Sequence, residues 1–545
     1  MSLSALAPVL GTDTGWTAAP IIIPLGTALL LLLPLRRTLQ AGLSIVGTVL
    51  MLLASVYLLI QAGHGQILTT NMGGWPAPFG ITMVADRLGA WMSLLTSISA
   101  VLSVLYAAAM PDRVRERHHL FALMQFLFAG VQISFLTGDL FNLFVAFEVM
   151  LVASYALAVL GSTREQLREG FRYIVMNLTA SALLVATVGM IYGLIGTLDM
   201  AHLSQRSAEL GVNHVVTAFS ILLLIVFSAK SALFPLGFWL PGTYPAVPPA
   251  AGAFFAAILT KVGIYALART FNTIFVGEPH IAQNILLILG TVTMLYGALG
   301  LVSQREWRRI LAFVVVVSVG FMAMGLGAGT PEALNATMFY VGVSVAVTSA
   351  MFLLAGVAER ATGTTHVNVR GMLEHRPLLA GLFMLGALTI AGLPPTGGFI
   401  AKFALIASVL EVGTPLAYLA AGSALVSSLI ILYAMLNMWR AFFWGKRHSD
   451  RQLRPNPAGQ LAALYLAMGA VALTALSAGP MMAYTADLSR DLQTPERYRT
   501  AVLGTDPVVI PDPYSPEYYK FTAPEAGAEI EHDPAHDPAP AEANP

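Results

Sequence analysis

Three lysines lie in apolar stretches where a charge is costly. Lys230 occurs in FSAKSALF, Lys261 in AILTKVGIY and Lys402 in GFIAKFAL, each near the middle of a long apolar segment. A charge at the centre of a membrane-spanning helix costs about 2.5 to 3.5 kcal/mol on insertion scales, so such residues are expected to have a function. A desolvated lysine binds or releases a proton as a nearby carboxylate approaches or withdraws.

A carboxylate has a comparable position. Glu148 lies inside the apolar segment GDLFNLFVAFEVMLVASYALAVL, nine residues after Asp139. A single buried lysine–glutamate pair would be explained equally well as a static bridge, but three lysines with one acidic partner favour a proton relay. We predict that Asp139 caps the helix that carries Glu148, and an ion entrance is the alternative role.

The composition is that of a membrane protein. Of 545 residues 57% are hydrophobic and 11% charged, whereas soluble chains carry about 25% charge. The formal net charge of zero leaves no basic surface that would bind nucleic acid. Without cysteine the chain has no disulfide and no cysteine-ligated metal cluster. We therefore expect a lipid bilayer around the chain and no cofactor, and the sequence leaves the metal question open.

Fourteen apolar stretches have about the 20-residue length that a bilayer requires. The predicted spans are residues 18–35, 38–62, 82–110, 119–137, 139–161, 173–197, 213–240, 248–270, 282–303, 308–330, 332–357, 378–411, 414–443 and 458–480. These spans predict an all-α integral membrane protein with about 14 transmembrane helices.

The distribution of basic residues predicts the orientation. Lysine and arginine near span ends are retained in the cytoplasm, and 19 of the 29 lie in alternate loops. These loops contain Arg36 and Arg37; Arg113, Arg115 and Arg117; Arg164, Arg168 and Arg172; Arg305, Arg308 and Arg309; Arg360, Arg370 and Arg376; and Arg440, Lys446, Arg447, Arg451 and Arg454. Both termini are therefore predicted to be extracytoplasmic. Arg87 and Arg269, at span ends, are expected to extend to an interface.

Two spans are interrupted beside their lysines. Pro235 follows Lys230 in span seven, and Pro394 and Pro395 precede Lys402 in span twelve. Paired broken helices in corresponding positions indicate an inverted-repeat transporter. The predicted units are residues 1–118 (helices one to three), 119–270 (first five-helix repeat, spans four to eight), 282–443 (second inverted repeat, spans nine to thirteen), 458–480 (helix fourteen) and 504–545 (an acidic, Pro/Ala-rich extended tail).

Four motifs together resemble one known family. They are GDLFNLFVAFE with Glu148, FSAKSALFPLGFWLP with Lys230, PPAAGAFFAAILTKVGIYALAR with Lys261 and AGLPPTGGFIAKF with Lys402. These motifs resemble the proton-pumping antiporter-like subunits, which include membrane-arm subunits of respiratory complex I and the A and D subunits of Mrp cation/proton antiporters. The resemblance covers about residues 80–445, and FWLPGTYPAVPPA is most similar to the D branch.

The resemblance implies a function and a role for each site residue. It implies a subunit of a prokaryotic plasma-membrane complex that exchanges Na⁺ for H⁺, with partner subunits of the A, B, C, E, F and G types. Glu148 and Lys230 would form a modulating pair, Lys261 the relay and Lys402 the terminal group. The cation, its path and the stoichiometry are not implied.

Spans ten and eleven depart from the family pattern. Family members often place histidine or lysine there, whereas RILAFVVVVSVGFMAMGLG and NATMFYVGVSVAVTSAMFLLAG contain neither. A proton relay across these spans would need water held by hydroxyl groups, which both donate and accept hydrogen bonds. The hydroxyls that would hold this water belong to Ser318, Tyr340, Ser344, Thr348 and Ser349.

Two other functions remain open. The same fold could serve as the proton-pumping membrane subunit of a respiratory NADH:quinone oxidoreductase or a membrane hydrogenase complex. Alternatively the chain could be a scaffold, with the ion path in another subunit. The first would co-purify with flavin and iron–sulfur subunits, and the second would tolerate a neutral isostere at Glu148.

Overall fold

The structure is a computed structural model that describes most of the chain. The described residues are 13–110, 112, 115–116, 118–211, 213–276, 279–446 and 453–504. Apart from Gly504, the predicted acidic tail lies outside them, as does the beginning of the chain.

The described chain is mostly helical. Its α-helices are α1 (Ala19–Leu31), α2 (Arg37–Gly63), α3 (Arg87–Ala109), α4 (Leu120–Leu136), α5 (Leu140–Val159), α6 (Arg164–Ile195), α7 (Met200–Leu210), α8 (His214–Ser231), α9 (Leu240–Ala246), α10 (Pro249–Phe254), α11 (Thr260–Arg269), α12 (Pro279–Val302), α13 (Trp307–Ala328), α14 (Pro331–Thr362), α15 (Met372–His375), α16 (Pro377–Ala391), α17 (Gly397–Glu411), α18 (Pro415–Phe442), α19 (Ala458–Leu476), α20 (Ala478–Leu492) and α21 (Pro495–Leu503). Strands β1 (Leu68–Asn71) and β2 (Thr82–Ala85) pair antiparallel, with Leu68 opposite Ala85.

The predicted membrane architecture is confirmed. In the described part, 11 helices are long and apolar enough to cross a bilayer, and three more apolar helices, Gly15–Leu31, Leu120–Leu136 and Pro377–Ala391, are shorter. One of these helices lies in each of the fourteen predicted spans. Their starts are defined by side chains that satisfy free backbone donors, such as Thr163 at α6, Thr330 at α14 and Thr414 at α18.

Three spans form the centre of the bundle. The apolar window of Pro249–Ile274 is 100% buried, that of α14 is 100% buried and that of α13 is 94% buried. The windows of α2 and α6 are only 39% buried and therefore face the surroundings of the protein. Lys261 and the hydroxyls predicted to link the two halves thus belong to the most enclosed helices.

Both predicted helix breaks are present. Helix α8 ends at Ser231, the next residue Ala232 has a left-handed backbone with φ of 62°, and α9 begins at Leu240. Helix α16 ends at Ala391, Gly392 has φ of 81°, and α17 begins at Gly397. Lys230 precedes its break and Lys402 follows its break.

The helix of span eight is interrupted by π-helical segments, which the sequence did not indicate. Between α10 and α11 the residues Phe255–Leu259 form a π-helix, and Thr270–Ile274 form another after α11. A π-helix shifts the backbone hydrogen bonds by one residue and is frequent at functional sites. Lys261 is the second residue of α11, directly after the first π-helix.

The loops form two separate polar faces. Loops predicted to be cytoplasmic are joined by ion pairs of 2.9 Å between Arg37 and Glu116, Arg308 and Glu359, and Arg309 and Glu165. At the opposite face Arg87, at the start of α3, pairs with Asp491 of α20 at 2.5 Å. Sequence patterns did not indicate α20 and α21, which follow the last span.

Arg269 does not reach an interface, contrary to the prediction. Its side chain is buried and donates two hydrogen bonds to Asp86, of 2.7 and 2.8 Å. A bidentate arginine–carboxylate pair satisfies both buried charges. Arg87 remains partly exposed, as expected.

Candidate functional site

Lys230 lies in the last turn of α8, immediately before the helix break. Its Nζ donates to the Ser181 hydroxyl at 2.8 Å and to the Asn177 carbonyl oxygen at 3.3 Å, both on α6. The Nζ also lies 5.5 Å from the centroid of the Phe147 ring. The negative end of the helix dipole stabilises a cation in this turn.

Lys261 is fully buried beside the first π-helix. Its Nζ donates to the carbonyl oxygen of Ala256 at 3.2 Å, and Ala256 belongs to that π-helix. The altered hydrogen-bond pattern therefore brings a backbone acceptor to the lysine at a depth where side-chain acceptors are scarce.

Lys402 reaches across the break in span twelve. Its Nζ donates to the carbonyl oxygen of Ile390 at 2.8 Å, to that of Ala391 at 3.5 Å and to the Ser428 hydroxyl at 3.2 Å. Ile390 and Ala391 end α16, so their carbonyls lack partners within the helix. The C-terminal end of a half-helix is a suitable site for a cation in a membrane.

All three lysines are solvated by dipoles and not by carboxylates. In the described part of the chain, none of the ion pairs within 4.0 Å contains Lys230, Lys261 or Lys402. A permanent buried salt bridge would fix a lysine in its charged form. No such bridge fixes these three lysines in the part of the chain that the structure describes.

Glu148 lies close to Lys230 without forming an ion pair. It is adjacent in sequence to Phe147, whose ring contacts the Lys230 ammonium group. The Glu148 side chain is partly buried, and its Oε1 is buried without a hydrogen-bond partner. The predicted modulating pair is therefore separated in this structure by more than 4 Å.

Four of the five predicted hydroxyls of spans ten and eleven line one cavity. Ser318, Tyr340, Ser344 and Thr348 surround it together with Thr389 and Ile390. About 20 Å³ of this cavity is accessible to the centre of a water molecule, enough for about one water. Because the Ile390 carbonyl binds Lys402, the cavity reaches the surroundings of that lysine. Ser349 is outside the cavity and shares a hydrogen bond of 3.0 Å with Ser99.

The remaining predicted site residues lie at helix ends. Pro235 is in the turn between α8 and α9, and Pro394 and Pro395 are in the segment between α16 and α17. Asp139 caps α5, since its Oδ1 accepts from the backbone nitrogen of Asn142 at 2.7 Å.

Sequence reasoning missed several partners of the lysines. Asn177 and Ser181 are four residues apart in an apolar span, so a polar pair on one helix face was a readable signal. Ser428 follows Ser427 in span thirteen and gave a weaker signal. The backbone carbonyls that hold Lys261 and Lys402 have no sequence signature.

These features define a class of membrane protein. A multi-pass helical bundle with a row of buried lysines on interrupted helices has the architecture of ion-translocating membrane proteins. The chain belongs to the family described as NADH:quinone oxidoreductase/Mrp antiporter, transmembrane, whose model matches residues 137–431.

Two curated relatives are similar over almost their whole length. The D subunit of the Na⁺/H⁺ antiporter of Alkalihalophilus pseudofirmus is 39% identical over 488 residues, covering 89% of this chain and 98% of the relative. The protein of the same name from Bacillus subtilis is 36% identical over 493 residues, with the same two coverages.

Solved structures agree with this family. A chain of the Mrp complex from Dietzia sp. is 28% identical with a TM-score of 0.81, covering 90% of this chain and 99% of that one. A chain of an archaeal membrane-bound sulfane sulfur reductase is 25% identical with a TM-score of 0.83, covering 89% and 99%. A chain of respiratory complex I from Thermus thermophilus, 22% identical with a TM-score of 0.76 and coverages of 88% and 99%, shares the fold.

Proposed function

We propose that this chain is the D-type, proton-translocating subunit of a multisubunit Na⁺/H⁺ antiporter in a prokaryotic cell membrane. The row of three buried lysines carries this proposal, because among the described residues each lysine has neutral acceptors and no ion-pair partner. The names of the curated relatives support the antiporter assignment. The partners are then the other antiporter subunits, of the A, B, C, E, F and G types, and the chain is a transporter subunit and not an enzyme.

The proposed mechanism assigns one step to each charged group. When Glu148 approaches Lys230, the ammonium form of the lysine is stabilised, and when it withdraws the proton is released. Lys261 receives the proton at the π-helix, and water in the cavity beside Ser318 and Tyr340 connects the centre to Lys402. The two five-helix units, 119–270 and 282–443, each contribute one broken helix to this path.

The cytoplasmic orientation belongs to the same proposal. The loops that share the Arg37, Arg308 and Arg309 ion pairs would face the cytoplasm. The opposite face, with α7, α20 and α21, would then face the outside, where Asp139 lies.

A respiratory role is the second candidate. It is favoured by the similarity to a chain of the sulfane sulfur reductase complex, at a TM-score of 0.83. The higher identity to the curated antiporter subunits, 39% and 36%, favours the antiporter. Purification of the intact complex decides, since flavin or iron–sulfur subunits would accompany a respiratory chain.

The test is Na⁺-driven proton movement in inverted vesicles that contain the whole set of subunits. Glu148→Gln, Lys230→Ala and Lys402→Ala are expected to lower the dequenching rate of a pH-sensitive dye by about tenfold or more, because a proton-transfer group is lost. Lys446→Ala and Glu332→Gln, at exposed positions, are the matched controls.

Assembly must be measured in the same preparations by co-purification of the other subunits. Unchanged exchange in all three site variants, with intact assembly, would place the ion path in another subunit and make this chain a scaffold. Loss of exchange in the controls as well would show a general defect and contradict the assigned roles.

A further inference from the structure

Two aspartates face each other at the side of the bundle that is proposed to be extracytoplasmic. Asp139 precedes α5 and Asp199 precedes α7, and the two residues form an antiparallel β-bridge. The flanking backbone bonds run from the nitrogen of Leu140 to the Leu198 oxygen, 2.9 Å, and from the nitrogen of Met200 to the Gly138 oxygen, 2.7 Å. In such a non-hydrogen-bonded pair the Cβ atoms are about 4.5 to 5.5 Å apart, and both side chains lie on the same side.

Each aspartate uses one carboxylate oxygen as a helix cap. Asp139 Oδ1 accepts from the nitrogen of Asn142, and Asp199 Oδ1 accepts from the nitrogens of Ala201 and His202, both at 3.0 Å. Asp199 is fully buried, yet its Oδ2 has no hydrogen-bond partner. A buried carboxylate oxygen without a donor is costly, so an ionised Asp199 next to an ionised Asp139 is unfavourable.

The closest charged and titratable neighbours do not neutralise the pair. The His202 side chain is buried, which lowers its pKa to about 4 and keeps the imidazole neutral. The Tyr498 hydroxyl lies beside the bridge, because a Cβ on Gly138 would be 3.3 Å from it. The Cζ atom of Arg269 lies 4.9 Å from the centroid of the Tyr498 ring, but the guanidinium group is hydrogen-bonded to Asp86.

Other ionic groups on the surrounding elements have different partners. They are Arg206 and Glu209 on α7, Glu496, Arg497 and Arg499 on α21, and Arg87 on α3. Arg206 donates to the Ile195 oxygen, Arg87 and Arg497 pair with Asp491, and Arg499 donates to Ser204. Within the described residues, no ion pair shorter than 4.0 Å contains Asp139 or Asp199.

We propose that Asp139 and Asp199 hold one exchangeable proton between their carboxyl groups, forming an outer proton-binding site on the helix that carries Glu148. Burial raises the pKa of the Asp139 carboxyl to about 6. Burial and the neighbouring Asp139 carboxylate raise the pKa of Asp199 to about 7. Two interacting carboxyls lose their protons in steps that belong to the pair. The pair is therefore singly protonated near neutral pH and loses that proton as the outer pH rises above about 7.

The site is suitably placed to exchange protons with the outer solution. Asp139 is partly exposed and Asp199 is buried behind it. Glu148 is nine residues further along α5, which corresponds to about 14 Å along a helix. Transfer from the pair towards Glu148 rests on the proposed function, whereas proton binding by the pair does not.

The test is an infrared pH titration of the purified, assembled complex, without any cation gradient. Wild type is expected to show the carbonyl band of a protonated carboxyl that titrates near pH 7. Asp199→Asn should remove this band, and Asp139→Asn should move its midpoint to lower pH, because the neighbouring negative charge is removed. Asparagine retains the capping acceptor, and Asp487→Asn, at a partly exposed aspartate of the same face, is the control.

The outcomes separate this proposal from the proposed function. A band that persists unchanged in both variants, or is absent from wild type, would contradict the proposal of a shared proton. Asp139 and Asp199 would then act only as helix caps. If Asp199→Asn fails to assemble, the shift in Asp139→Asn still decides. If Glu148→Gln leaves exchange unchanged, the relay proposal fails, but the infrared band of the Asp139–Asp199 pair is still expected. The proposed function and the shared proton can therefore fail independently.

Discussion

At the scale of single residues, removing the Ser181 hydroxyl tests directly whether its hydrogen bond to Lys230 matters for proton movement. Replacing Ser181 with alanine removes the 2.8 Å acceptor of the ammonium group and leaves the Asn177 carbonyl at 3.3 Å. A hydrogen bond to a charged group contributes about 1.5 to 3 kcal/mol. We expect Ser181→Ala to slow Na⁺-dependent proton movement by about tenfold, measured in inverted vesicles at several pH values.

Thr179→Ala is the matched control for this variant. Thr179 lies two residues away on the exposed side of the same helix, where its hydroxyl bonds only to the Val175 carbonyl. Its replacement should leave exchange unchanged. Equal rates for Ser181→Ala and wild type would mean that this hydroxyl does not govern the protonation of Lys230.

The sequence identifies the charged residues of the candidate site as unusual, but it does not identify their hydrogen-bond partners. Lys230, Lys261 and Lys402 are identifiable because charge in an apolar segment is costly and rare. Glu148 is identifiable for the same reason. The backbone carbonyls that accept from Lys261 and Lys402 depend on where helices end, and every residue carries a carbonyl group.

At the scale of helices, α8 and α11 are in close contact at Gly263. A Cβ on Gly263 would lie 2.6 Å from the backbone nitrogen of Ser231 and 2.9 Å from the Phe227 oxygen. Gly263→Ala therefore forces the two lysine-bearing helices apart, at a cost of about 1 to 3 kcal/mol. We expect a lower thermal midpoint of the purified complex together with slower exchange.

Gly422→Ala controls for the change in helix propensity. No atom lies within 4 Å of a Cβ at Gly422 on α18, so alanine should be neutral or stabilising by up to about 1 kcal/mol there. If Gly263→Ala retains both the wild-type midpoint and the wild-type rate, the spacing of α8 and α11 is not what positions Lys230 and Lys261.

Helix breaks differ in how visible they are in the sequence. The breaks after Ser231 and Ala391 coincide with Pro235 and with Pro394 and Pro395, because proline cannot continue a helix. The π-helix Phe255–Leu259 contains only Phe, Ala, Ile and Leu, which are equally suited to an α-helix. Its formation depends on packing in the centre of the bundle, and local sequence therefore gave no warning.

At the scale of the whole molecule, the assignment of the two faces to cytoplasm and exterior can be tested with single cysteines. The chain contains no cysteine, so each introduced thiol is the only one in it. Ala208 is exposed on α7 and Thr365 is exposed between α14 and α15. We expect a membrane-impermeant maleimide to label Ala208→Cys in intact cells and Thr365→Cys only in inverted vesicles, because arginine-rich loops remain in the cytoplasm.

The reverse labelling pattern would place Asp139 and Asp199 at the cytoplasmic surface, and their proton would then exchange with the cytoplasm and not with the exterior. Labelling of both positions from both sides, with a permeant maleimide as reference, would indicate leaky vesicles and require their replacement before the faces are assigned.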